Sequence, residues 1–259
     1  GSEVIPAGLF LILLLLVPES PRWLALDGQL ARARKILDRT MGSSMAEREL
    51  EQITSVSQQE GRFSELFGPA YRRPLFIAVA LAVFAQFSGI NAIMYYAPVI
   101  FKTAGSNTDS AFVSTVWVGA INFLFTFVAI AFVDKAGRKP LLAIGAAVQT
   151  VSLAAVGVMF AIDSRGPGLL ICILLFVAAF AMAMGPIPWI VISEIFPGRI
   201  RGRASSVGVL AIWVACFVVA QTFPMLQRHL GGAITFWIYG VCSLASLIFV
   251  LTALPETKG

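Results

Sequence analysis

Charge is what this chain has least of. Asp, Glu, Lys and Arg make up 13% of its 259 residues, about half the share of a soluble globular domain. No apolar run has a carboxylate in its interior. That excludes the carboxylate pairs and nucleophile–base sets that a membrane-embedded enzyme needs, and it places any proton-coupling acid on another part of the protein. Cysteine is equally sparse. Cys172, Cys216 and Cys242 all lie in apolar runs with no metal-ligand spacing, so neither a disulfide framework nor a zinc site is expected, and they read as small buried hydrophobes. The single histidine, His229, near the outer end of a run, reads as a loop residue and not as a proton relay. No metal and no cofactor is implied.

What is abundant is apolar length. Hydrophobic residues make up 58% of the chain, and the mean hydropathy is +0.85. A helix crosses a bilayer in about 20 apolar residues, and six runs reach that length: 75–101, 112–133, 140–162, 168–192, 204–225 and 233–254. Residues 4–17 are apolar over only 14 positions, with no basic flank before them and no small-residue cleavage site after them. They read as the end of a further membrane helix rather than a signal peptide, and Gly1-Ser2 as the remnant of a tag.

A net charge of +5 is compatible with nucleic-acid binding, but its placement points elsewhere. Of the 19 Lys and Arg residues, 16 fall in 18–73, 134–140, 194–203 and 255–259, all on one side once the spans alternate; only Lys102, Arg165 and Arg228 fall opposite. This is the positive-inside pattern, which places the basic side and both chain ends in the cytoplasm of a multi-pass protein of the cell membrane. The partners expected are lipid and a small solute, with no nucleic acid.

Residues 18–73 form the one sizeable polar segment. Asp27 is placed to cap a helix running to about Arg39, with Leu30, Ala33, Ile36 and Leu37 at helical spacing. Gly42 is a stop signal, and Ser44 with Glu47 fits a capping box ahead of Leu50 and Ile53. A further short turn is expected over 63–67. These stripes call for a packing surface, the inner face of the bundle being one candidate. The expected division is therefore 1–17, a tag remnant and helix end; 18–73, an intracellular helical domain; and 74–259, a six-helix transmembrane bundle.

Four charged motifs punctuate the basic side: Pro18-Glu19-Ser20-Pro21-Arg22-Trp23, Asp134-Lys135-Ala136-Gly137-Arg138-Lys139, Glu194 through Gly202, and Pro255-Glu256-Thr257-Lys258. Each sets a carboxylate beside a cation at a helix end. Such pairs can hold a bundle closed on one side and release it on moving, although solvated flanking charge would look the same. The expected partners of Arg138 are Glu194 or Glu19, and those of Arg201 are Asp134 or Glu256.

Two spans are irregular. The first holds Gln86, Ser88, Gly89, Asn91, Tyr95, Tyr96 and Pro98; the fourth holds Gly185-Pro186-Ile187-Pro188-Trp189. Irregular backbone at membrane depth is tolerated only inside protein or around a cavity, and transporters put their substrate sites at such breaks. Gln86 and Asn91 stand about 140° apart on an ideal helix, so they share a cavity only if the helix breaks between them, at Gly89. Asn122 is the lone amide of the second span. Amides supply donors and acceptors, and Trp189 supplies a flat apolar face with one N–H. Without buried charge, the set suits a neutral polyhydroxylated ligand. Amides also join helices to one another, so each alone is ambiguous.

Taken in order, Pro-Glu-Ser-Pro-Arg-Trp, Gln86-Phe-Ser-Gly-Ile-Asn91-Ala-Ile-Met-Tyr95-Tyr96, Asp134 through Lys139, Gly185-Pro-Ile-Pro-Trp189, Ser193-Glu194-Ile-Phe-Pro-x-x-Ile-Arg201-Gly and Pro-Glu-Thr-Lys-Gly resemble the sugar porter family of the major facilitator superfamily. The family includes proton–xylose symporters and facilitative glucose carriers. The resemblance runs over essentially the whole chain and matches the C-terminal half of a twelve-helix carrier. It implies an all-α membrane fold, a sugar held at Gln86, Asn91, Asn122 and Trp189, and an extracellular gate at Tyr95 and Tyr96. It further implies a cytoplasmic charge network of Glu19, Arg22, Asp134, Arg138, Glu194, Arg201 and Glu256. Three positions depart from the family's pattern: Ala85 and Ile212 replace amides and Cys216 replaces an asparagine, which makes the site drier.

The reading is thus half of a sugar transporter for a pentose, hexose or polyol, working by alternating access and not an enzyme. A carrier for another neutral solute and a sugar sensor of the same fold are the alternatives. Its expected partners include the N-terminal six-helix half, with a homodimer of this half as a substitute cover.

Overall fold

The computed structural model describes residues 4–57, 63–105, 107–164 and 167–255, with the backbone alone at 6, 26 and 55–57. The described residues are almost wholly helical and divide into two compact units, Gly1–Arg62 and Phe63–Gly259.

The first unit holds α1 (Val4–Leu16), α2 (Pro21–Leu26), α3 (Leu30–Met41) and α4 (Ser43–Ser57). Leu24, Ala25 and Ala33 form its small core, with Ile36, Leu50 and Ile53 packed against them. The two amphipathic stripes therefore pack on each other. Asp27 does not cap α3: it closes α2, its N–H donating to Trp23 O, while its carboxylate accepts from Gln29 Nε2 at 2.6 Å. Gln29 is the N-cap of α3. Gly42 does end α3, at φ +82°, a conformation that costs glycine nothing. Ser44 lies inside α4, and Gly42 O accepts the first turn's bond from Ala46 N.

The second unit opens with a 3₁₀ turn, Phe63–Phe67, whose Leu66 is fully buried with Ala78, Ile192, Phe196, Ile200 and Ala204. Composition alone puts 63–73 with the polar segment; here Leu66 and Tyr71 pack with the bundle, while Phe63 and Phe67 stay exposed and meet each other edge to face. The bundle comprises α5 (Arg72–Phe87), α6 (Ile90–Thr103), α7 (Thr108–Ala136), α8 (Arg138–Ala161), α9 (Gly168–Ala179), a π-helical stretch Phe180–Met184, α10 (Ile187–Glu194) and α11 (Gly198–Thr252).

Five helical stretches among the described residues are long and apolar enough to cross a membrane, counting α5 with α6 and α9 with α10. The last, α11, has 55 residues. At 1.5 Å per residue that is about 80 Å, more than twice a hydrocarbon core of about 30 Å. It is two spans merged: Gly231 sits inside at φ +79°, ψ +169°, and the chain bends there. Counting α11 as two makes six spans. The largest core cluster gathers Ile93, Ile100, Phe101, Leu153, Ile173, Phe176, Phe223 and Phe236 around one end of the bundle.

Candidate functional site: a cavity between two broken helices

The first break is at Gly89. α5 ends at Phe87; Ser88 Oγ donates back to Ala85 O at 2.8 Å. Gly89 adopts φ +86° and serves as the N-cap of α6. A side chain there is excluded twice over. The left-handed backbone disfavours it, and a Cβ would lie 2.9 Å from the ring of the buried Tyr239. The turn brings Gln86 and Asn91 to the same wall, where Asn91 Nδ2 donates to Gln86 Oε1 at 2.5 Å.

The second break precedes Trp189. Pro186 and Pro188 lack the N–H groups that Met182 O and Met184 O would accept in a regular helix. The turn before them widens into the π stretch, with Gly185 N donating to Phe180 O at 2.9 Å. π turns of this kind are frequent at functional sites. α10 then restarts and presents Trp189, 45% exposed.

Between the breaks lies an open cavity of about 260 Å³. Gln86, Asn91, Asn122 and Trp189 all line it. Sequence reasoning missed Ile90, Met94, Phe180 and Met184, which line it too. Phe180 and Met184 are four apart on the helix running into the Gly185-Pro186 break, and that spacing was the available signal. Cys216 is buried beside the amides: its Sγ lies 3.1 Å from Asn91 Nδ2 and 4.0 Å from the hydroxyl of Tyr95.

Tyr95 and Tyr96 diverge. Tyr95 is 58% exposed. Tyr96 is turned into the bundle, its hydroxyl donating to Ala220 O at 3.2 Å and its ring 5.1 Å from that of Phe223.

At the other end, Arg138 ties three helix ends together. Its Nη2 lies 2.8 Å from Glu194 Oε1 of α10 and 3.2 Å from Asp134 Oδ1 of α7. Asp134 is thus bonded to Arg138. Arg201 turns back on its own turn and donates Nε–H to Phe196 O at 3.3 Å. Glu256 lies outside the described residues. Glu19 and Arg22 belong to the first unit, before and within α2. A further pair was not foreseen: Arg199 Nη2 to Glu65 Oε2 at 2.8 Å. These residues are 134 apart in sequence, and no local pattern marks them.

A helical bundle that crosses a membrane and sets a part-polar cavity between two interrupted helices has the architecture of a membrane carrier. The comparisons name the family. The profile of the "Sugar (and other) transporter" family matches residues 1–259, and the chain belongs to that family. It is 42% identical over 258 residues to an arabinose-proton symporter of Bacillus subtilis (strain 168), covering 98% of this chain and 56% of that protein. It is 42% identical over 269 residues to the D-xylose-proton symporter of Escherichia coli (strain K12), covering 100% and 54%. Among solved structures, the proton:xylose symporter XylE bound to 6-bromo-6-deoxy-D-glucose superposes with a TM-score of 0.81 at 41% identity, over 99% of this chain and 55% of that one. The partially occluded inward open form of XylE from E. coli gives 0.83 at 40% identity, over 100% and 54%. The fold is therefore that of the major facilitator superfamily, and the chain spans about half the length of the relatives it matches.

Proposed function

We propose that this chain forms the C-terminal half of a sugar transporter and carries one wall of its binding site. The observation that bears most weight is the Gly89 break, which joins Gln86 to Asn91 and sets both on one cavity with Asn122 and Trp189. Amide hydrogen bonds and stacking on Trp189 would hold a pentose, hexose or polyol. Alternating access would come from this bundle rocking against a second one around the shared site. Tyr95, exposed beside the cavity wall, would gate the outer side, with Tyr96 anchoring the same segment to α11. The charges at 134–138 and 194–201 would face the cytoplasm, together with Glu19, Arg22 and Glu256. The intracellular helices would comprise 18–73.

The names of the relatives support both a pentose substrate and a proton partner, while a 38% identical facilitated trehalose transporter of Apis mellifera ligustica supports passive carriage. Uptake of labelled arabinose, xylose and glucose by vesicles holding the full-length transporter, with and without a proton gradient, tests the reading. Saturable uptake of at least one sugar is expected. Accumulation only under a gradient marks symport, and equilibration without one marks facilitated diffusion. Uptake of none would refute the function.

A further inference from the structure

The amide pair at the Gly89 break spends its hydrogens on protein. The Asn91 Nδ2 group carries two N–H bonds. One faces Gln86 Oε1 at 2.5 Å and the other Cys216 Sγ at 3.1 Å. What remains for a ligand is Asn91 Oδ1 as an acceptor and Gln86 Nε2 as a donor. Asn122 adds one amide and Trp189 one N–H.

The other side chains lining the cavity offer only carbon and thioether sulfur. α11 contributes Ile212, 5% exposed, and one turn further on the Cys216 thiol is already taken by Asn91. Met94, Phe180 and Met184 extend this apolar lining. A sugar hydroxyl pressed on these side chains gives up water and gains no side-chain partner, which is unfavourable. A carbon bearing only hydrogen or a methyl group has nothing to lose there and buries apolar area.

We propose that this cavity is tuned to a deoxy-sugar: a monosaccharide whose edge against Ile212 carries a methylene or methyl group in place of a hydroxyl-bearing carbon. Ile212 is the specificity-determining residue, and Cys216 is a positioning residue that orients the Asn91 amide. This rests on the sugar-transport reading above.

The test measures affinities of D-glucose and D-galactose, and of their mono-deoxy analogues at each hydroxyl-bearing carbon, on the full-length transporter by competition with labelled sugar. Removing a hydroxyl that meets an amide should weaken binding severalfold. At one position, removal should tighten binding by roughly tenfold to a hundredfold, the range over which an apolar pocket rejects an added hydroxyl. Ile212→Asn should reverse the preference at that position and leave the others in place, and Ile212→Val should retain it. Cys216→Ser, which keeps a partner for Asn91, should bind nearer to wild type than Cys216→Ala. If every deoxy analogue binds wild type more weakly than its parent sugar, the proposal fails while sugar transport stands. If no sugar competes at all, both fail. The wild-type series decides without help from the variants, so a poorly folded Ile212→Asn leaves the test intact.

Discussion

At the scale of single residues, the cavity amides are the place to test. Gln86→Ala removes the acceptor of Asn91 and a donor to the ligand together. Sugar affinity should fall by about 1–2 kcal/mol, the worth of one or two net hydrogen bonds. Equilibrium binding to the full-length protein checks this, and unchanged affinity for every sugar tried would remove Gln86 from the site. Ala85→Gln, one position earlier on the same wall, should strengthen hexose binding by a similar amount if dryness limits affinity. Side-chain type and spacing made the four polar residues legible: Gln86, Asn91 and Trp189 flank helix breaks, and Asn122 is the lone amide of an unbroken span. Cys216 was not legible in the same way. A cysteine in an apolar run reads as a small hydrophobe, and only the fold, which brings positions 125 apart into contact, makes it the partner of Asn91.

Elements carry the next set of consequences. The Gly89 break was legible because Gln86 and Asn91 cannot otherwise share a face. What keeps it broken was not, since the ring of Tyr239 comes from α11. Gly89→Ala should destabilise the full-length protein by about 2–3 kcal/mol, combining left-handed backbone strain with the clash. The thermal midpoint in detergent reports this, and a wild-type midpoint would show that the segment relaxes freely. The π stretch before Gly185 was not legible either: two prolines predict a break, but the widened turn ahead of them depends on which carbonyls neighbouring helices leave room for. At the end of the bundle away from the tyrosines, Arg138 joins α7, α8 and α10 through Asp134 and Glu194, and its side chain is 12% exposed. Arg138→Gln should loosen those ends by about 1 kcal/mol, since Glu194 and Asp134 are themselves partly solvated. If these ends face the cytoplasm, as the proposed function has it, the carrier should shift toward its inward-open state. Cysteines placed along α10 should then react faster with a cytoplasmic-side reagent, and an unchanged labelling pattern would count against closure by these ion pairs. The Arg199–Glu65 pair is more exposed, at 43% and 35%; losing it should move stability by less than about 1 kcal/mol.

At the scale of the whole molecule, the proposed function makes the chain one wall of a two-walled device. Its relatives run to nearly twice its length, and Trp189, which lines the cavity, stands 45% exposed. A sugar bound here touches protein on one face only. Its remaining hydroxyls would meet water, so the contacts of a second wall would be lost and no barrier would close behind the ligand. Alternating access needs a second bundle to rock against. Left alone in a bilayer, the wall would turn Gln86, Asn91 and Asn122 toward lipid, where amides without partners are costly. Two copies facing each other would cover those groups, and a two-fold pair is the commonest closed arrangement. The isolated chain should therefore associate through this wall, and Asn122→Cys should crosslink to its own copy. It should also fail to transport. Vesicles reconstituted with residues 1–259 alone are expected to show no saturable, stereospecific sugar uptake, whereas adding the N-terminal half of a relative's fold as a separate polypeptide should restore it. Uptake by 1–259 unaided would mean that one bundle can expose its cavity to both sides by itself, and the two-walled account would have to be abandoned.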